Sequence, residues 1–261
     1  MCPPTRSKTT ERPDDGLPEH WTCDMSEWKQ TRFWTTASHV PEGTGFGIRL
    51  DGRAVKTPAK APMVVPGAAL ARAIAAEWDA QQDAINPNTM PLTRIANSAI
   101  DKVAAQAVEV AEIVAAYGET DLLCYRAEGP DALIARQAKG WDPLLDWAAD
   151  RLSAPLVTGA GVMFIEQPPA SVAALAAQVR ALDLFDLAPF HDLVALTGSL
   201  VIGLAAYHAH LPVDDLWRRS RIDEDWQTEQ WGQDDEAQEA AAIKAAAFAD
   251  AARFVSLRHS D

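Results

Sequence analysis

The sequence predicts an α+β fold in which a small N-terminal β-rich α+β domain is followed by a larger, mainly α-helical domain. Two observations carry this. Between Arg32 and Val65 the apolar residues come in short runs broken by turn residues, the pattern of small antiparallel strands. From about residue 93 onward, alanine-rich segments with apolar spacings of three and four dominate, the pattern of packed helices. The organisation that follows is a tail over residues 1–28, an α+β domain over 29–92 and a helical domain over 93–261.

The tail is rich in Pro, Thr, Asp and Glu, too poor in apolar side chains to offset the entropy of ordering, and is expected to be disordered. It has no apolar stretch of the kind a secretory presequence carries and holds Glu11, Asp14, Asp15, Glu19, Asp24 and Glu27. Met25 is a natural start ahead of the first apolar pair, Phe33-Trp34. In the next segment Phe46, Ile48 and Leu50 alternate with Gly47 and Arg49, and Asp51-Gly52 is a strong tight-hairpin signal. Three X-Pro pairs ending at Pro58, Pro62 and Pro66 keep the following chain extended. Pro66 is then expected in the first turn of a helix running from about Gly67 to Gln82, with Leu70, Ile74 and Trp78 on its buried face.

Ser98-x-x-Asp101 resembles a capping box for the next helix, whose apolar face is Ile100, Val103, Ala107, Val110, Val114 and Tyr117. Further helices are expected at about 130–151, 170–182, 189–208, 213–231 and 234–257. Residues 156–165, with Val157, Val162, Phe164 and Ile165 around Gly159 and Gly161, read as a short strand or hairpin. There is no repeat of fixed period, which disfavours a solenoid.

Composition narrows the function. The chain has 261 residues, 48% hydrophobic and 23% charged, enough to bury roughly 70% of its unfolded surface without disulfides or metal. Its net charge of −14 opposes the basic stripe that nucleic-acid phosphates require. Three cysteines without a C-x-x-C pair argue against a disulfide framework and for a reducing compartment, with Cys124 a buried, inert thiol. No Asp, Glu, Lys or Arg lies between Asp192 and Asp214, but Thr197-Gly198-Ser199 interrupts that run and His208, His210 and Pro212 close it, so it reads as a buried core helix, not a membrane span.

The motifs of enzyme chemistry are missing. Gly43-x-Gly45-x-Gly47 lacks dinucleotide spacing, precedes a strand and never continues into Gly-Lys-Ser/Thr, so it is a hairpin turn. The rings of His208 and His210 would project about 200° apart on a helix and share no metal face. His191-Asp192 lacks the remainder of H-E-x-x-H, and Ser199 lacks the flanking glycines of a nucleophile elbow. The densest polar stretch runs from Asp223 to Glu236. It is either a solvated helix end or a partner-binding surface, because Glu224, Gln227 and Trp231 recur at helical spacing and combine an aromatic anchor with hydrogen-bond acceptors. Of nine tryptophans, Trp78, Trp141 and Trp147 sit in apolar helix patterns, whereas Trp217 and Trp231 are the better interface candidates.

A series of short motifs occurs in order: Phe33-Trp34, Leu50-Asp51-Gly52-Arg53-x-Val55-Lys56-Thr57-Pro58, Glu77-Trp78-x-x-Gln81, Met90-Pro91-Leu92-Thr93-Arg94, Asp101, Thr120-Asp121-Leu122-Leu123-Cys124-Tyr125-Arg126, Gln137-x-x-x-Trp141-Asp142-Pro143 and Gln227-x-x-x-Trp231-Gly232. Together, across residues 32–240, they resemble the assembly-factor family that chaperones the alpha subunit of the F-type ATP synthase, sometimes called the ATP-twelve family. The resemblance implies a protein that is not an enzyme and has no catalytic residues, metal or cofactor, and that binds free alpha subunit until beta displaces it. It implies no nucleic-acid partner, no membrane insertion, and a location in bacterial cytoplasm or, for organellar members, the mitochondrial matrix. The free protein is expected to be monomeric. Its partner-binding residues are expected to be Glu224, Gln227, Trp231, Asp234, Asp235 and Glu236. Two other readings stand beside this: an enzyme or small-ligand binder using an interdomain cleft, and a scaffold with another protein client.

Overall fold

The computed structural model describes residues 31–260, and the tail expected over 1–28 lies outside the described residues. Strands β1 (Ala37–Glu42) and β2 (Gly45–Leu50) form an antiparallel hairpin with Ala37 opposite Leu50 and Glu42 opposite Gly45. Of the glycine-rich run only Gly43 lies in the turn, and Gly45 and Gly47 belong to β2. At the end of β2, Asp51 (φ 46°) and Gly52 (φ 80°) both take left-handed conformations, as a tight primed turn requires. The chain then returns as β3 (Arg53–Ala54) beside Arg49–Leu50, and β4 (Val64–Val65) pairs with Phe46–Gly47 along the same edge of β2.

Helix α1 (Ala68–Asp79) lies across this sheet with Leu70, Ala71, Ile74 and Ala75 buried. It starts later than expected. Gly67, at φ 80°, is the residue that turns into the helix, leaving Pro66 outside the first turn. Trp78 is half-buried, not enclosed, and meets the Trp34 ring edge-on at 5.5 Å. Around them Ile48, Leu50, Val65, Leu70, Ile74 and Leu92 form one hydrophobic core, joined by Phe254 from the far end of the chain.

The expected capping box is a misreading. Helix α2 (Pro91–Ser98) has already run to Ser98, and it continues through a π-helical turn (Ala99–Val103) into α3 (Ala104–Ala116), with no side-chain cap at Ser98. The cap comes from another helix. Glu77 of α1 accepts from the backbone N–H groups of Leu92 and Thr93, both at 2.8 Å, and from the Thr93 hydroxyl at 2.7 Å. Asp101 instead accepts from the Thr57 hydroxyl (2.6 Å) and Ala59 N–H (3.0 Å), tying the loop after β3 to the helices.

The second core is built from α4 (Asp131–Leu152), α5 (Pro169–Arg180), α6 (Leu184–Thr197), α7 (Leu200–Tyr207), α8 (Val213–Ser220) and α10 (Asp235–Arg258), together with α3. The helix expected at 189–208 is therefore two. Gly198 adopts φ 68° and closes α6, Ser199 caps α7 by accepting from Ile202 N–H at 3.0 Å, and the buried carboxylate of Asp121 holds both Ser199 Oγ (2.7 Å) and Val201 N–H (2.9 Å). The helix expected at 213–231 is likewise split at Arg221 into α8 and α9 (Ile222–Trp231). Residues 156–165 contain only a two-residue strand, β6 (Gly159–Ala160), parallel to β5 (Tyr125–Arg126), and otherwise form a loop. Helix α10 puts Phe248 into this core and Phe254 into the first, so it spans both. Among the described residues no helix is long and apolar enough to cross a membrane.

Candidate partner-binding surface

Helix α9 lies on α4, and what fixes it there also decides which of its side chains face outward. Ile222 is buried against α4 at Gly140, where a Cβ would collide with its δ-methyl group. One residue on, Asp223 accepts from Gln137 Nε2 at 2.6 Å, while Gln137 Oε1 accepts from Ala127 N–H at 2.9 Å. The buried amide of Gln137 thus links α9, α4 and the segment after β5. Arg136 lies 4.9 Å over the Trp226 ring and makes a two-pronged contact with Glu229 at 2.7 and 2.8 Å, which holds the Glu229 carboxyl below its ordinary pKa. Trp141, buried below, donates its indole N–H to Arg219 O at 2.7 Å, and Arg219 reaches Gly140 O at 2.5 Å.

The face left over borders a cleft of about 640 Å³ whose walls include Tyr125, Pro130, Asp223, Trp226, Gln227 and Trp231. Of the six residues predicted from sequence, Gln227 and Trp231 lie in this wall, and the Trp231 ring is 80% exposed. Glu224 is half-buried on the adjacent strip of α9, paired with Arg221 at 2.7 Å. Asp234 faces a different task, capping α10 by accepting from Glu236 N–H (2.9 Å) and Ala237 N–H (3.3 Å). Asp235 and Glu236 are exposed in the first turn of α10, where carboxylates complement the helix dipole. The six residues therefore split at Gly232, three on α9 and three at the start of α10.

Sequence reading singled out neither Asp223 nor Trp226, although the i, i+4 spacing from Asp223 through Gln227 to Trp231 marks one helix face. It also placed Trp217 at an interface. Trp217 is half-buried, packs at 5.8 Å from the Phe248 ring and lies under the Arg221 guanidinium. Trp147 is half-buried as well and stacks on His210 at 4.8 Å. Cys124 is buried as expected, and its thiol is pushed up to about 12 by that burial first, then by the Asp121 charge.

This architecture has known relatives. The family model described as ATP12 chaperone protein matches residues 31–149. The crystal structure of Atp12 from Paracoccus denitrificans is 49% identical with a TM-score of 0.87, covering 89% of this chain and 100% of that one. A putative chaperone from Agrobacterium tumefaciens is 40% identical with a TM-score of 0.83, over 87% of this chain and 85% of its own. The mitochondrial atp12 protein of Schizosaccharomyces pombe is 26% identical over 222 residues, 80% of this chain and 76% of that protein. The Paracoccus likeness covers far more of the chain than the segment the family model matches, and on it the chain belongs to the ATP12 chaperone family.

Proposed function

We propose that this chaperone serves ATP synthase assembly by holding the unassembled alpha subunit, and that the cleft-facing side of α9 takes part in the contact. The observation that carries the reading is Trp231: a large aromatic ring held in water at the end of a helix whose other side is fixed by buried contacts. Exposed aromatics of this kind are the usual anchors of protein interfaces. A subunit destined for a ring exposes an apolar interface until its neighbour arrives, and such patches drive aggregation. The chaperone must cover that surface and still yield to beta, which calls for an anchor set among polar groups, not an obligate apolar interface. Glu224 and Gln227, on the same helix as Trp231, supply those groups. Asp234, Asp235 and Glu236 contribute at most long-range charge.

The free chaperone is proposed to be a monomer in the compartment where the catalytic head assembles, bacterial cytoplasm or mitochondrial matrix. Co-expression of the tagged protein with alpha and beta tests the assignment. Alpha should be recovered without beta, and added beta should release it. Recovery of neither subunit would overturn the reading.

A further inference from the structure

The loop over residues 156–167 carries exposed apolar side chains beyond a fixed neck. Its neck is closed at two points. The buried amide of Gln167 clamps the backbone of Val157, accepting from its N–H and donating to its carbonyl, both at 2.9 Å. Pairing of β6 with β5 continues into a hydrogen bond from Gly161 N–H to Arg126 O at 2.9 Å. Beyond that closure, three consecutive large apolar side chains stand in water: Val162 at 94% exposure, Met163 at 79% and Phe164 at 66%. Scattered exposed apolar residues need no explanation, but a contiguous group on a pinned tip marks a surface that is covered by something.

Two further observations say what covers it. Val162, the first residue of the apolar tip, lines the same cleft as Trp231, and Met163 and Phe164 follow it directly in the chain. The wall of that space carries two carboxylates, Glu128, exposed beside Gly161, and Asp223, and neither is in an ion pair among the described residues. The cations in and beside the cleft are already engaged: Arg126, which lines it, with Asp142, Arg136 with Glu229 and Arg221 with Glu224, each at 2.7 Å.

We propose that the Val162-Met163-Phe164 tip and Trp231 are the two jaws of one client cleft, which takes an exposed apolar segment of the client flanked by lysine or arginine. This rests on the proposed chaperone function and adds a half of the site that α9 alone does not contain. The apolar jaws exclude water from the client's interface residues, while the Glu128 and Asp223 carboxylates in the wall favour a basic flank and disfavour an acidic one.

The test replaces Val162, Met163 and Phe164 together with Ser and measures capture of purified alpha subunit, alongside a photo-cross-linking residue placed at position 163 of the otherwise unchanged protein. The triple variant should keep its melting temperature, since the tip is outside both cores, and bind at least tenfold more weakly. The cross-linker should form an adduct with alpha, and binding to the unchanged protein should weaken as salt rises. If the unchanged protein captures alpha and the triple variant captures it equally well, the inference fails while the chaperone function stands. If the unchanged protein captures no alpha, both fail together. A free protein that dimerises, with the triple variant monomeric, would assign the tip to a second copy and overturn the inference.

Discussion

Trp78 and Trp231 each lie in the last turn of a helix in this chain, and their surroundings are opposite. Trp78, in α1, lies edge-on to Trp34 and packs against the sheet core. Trp231 closes α9, and its ring stands free beside a cleft. The difference lies in what the neighbouring sequence provides. Ahead of Trp78 come Leu70, Ile74 and a hairpin whose apolar side chains need covering; ahead of Trp231 come Asp223, Glu224, Asp225 and Gln227, which keep their own face wet. Tryptophan is therefore a structural residue in one place and a proposed contact residue in the other.

The largest expected effect is at the core-packed, half-buried member. Trp78→Arg would set a guanidinium against the Trp34 ring and the apolar sheet face, losing most of the indole's packing, at a cost of about 2–4 kcal/mol. Loss of soluble protein on expression is expected; an unchanged melting temperature together with lost client binding would move Trp78 to the interface class. A smaller effect is expected one residue earlier. Glu77→Ala removes the acceptor for two N-terminal N–H groups of α2 and should cost about 1–2 kcal/mol, read as a lower midpoint in urea with unchanged slope. Glu77→Gln retains one acceptor oxygen and should cost less.

At the open member the effects move from stability to binding. Glu224→Lys removes the partner of Arg221 and reverses charge beside Trp231, and should weaken alpha binding in a salt-dependent way while the fold stays within about 0.5 kcal/mol. Asp235→Lys should do the reverse. It sits in the first turn of α10, so the expected cost is helix stability of about 0.3–1 kcal/mol, with alpha affinity changed less than by Glu224→Lys. Equal loss of affinity from the two reversals would mean that the acidic stretch acts as one surface and that the split at Gly232 has no functional meaning.

That contrast also shows what the sequence makes legible. The hairpin could be read because Asp51-Gly52 fixes its turn locally, and the α+β organisation because strand and helix periods segregate along the chain. The start of α2 could not, because its cap, Glu77, belongs to a different helix, while Ser98-x-x-Asp101 imitates a local signal in mid-helix. The break at Gly198 falls where Thr197-Gly198-Ser199 interrupts the apolar run, but what secures it is Asp121, distant in sequence, and the break at Arg221 has no glycine or proline to mark it. Within the candidate site, Gln227 and Trp231 were visible from their spacing. Asp234 was not separable from them, since a capping carboxylate and a contact carboxylate look alike until the helix start is known. The loop tip was hidden for the opposite reason: Val162, Phe164 and Ile165 carry the composition of a buried strand, and only Ile165 is half-buried.

The central claim, that Trp231 serves binding and not folding, is tested most directly by titrating purified alpha subunit into the wild-type protein and into Trp231→Ala, with thermal unfolding of both measured in parallel. Truncation of a central aromatic anchor typically costs about 2 kcal/mol or more of binding, so Trp231→Ala should bind alpha at least tenfold more weakly while its melting temperature stays within about 2 °C of wild type. Undiminished alpha affinity in a normally folded Trp231→Ala protein would contradict the account.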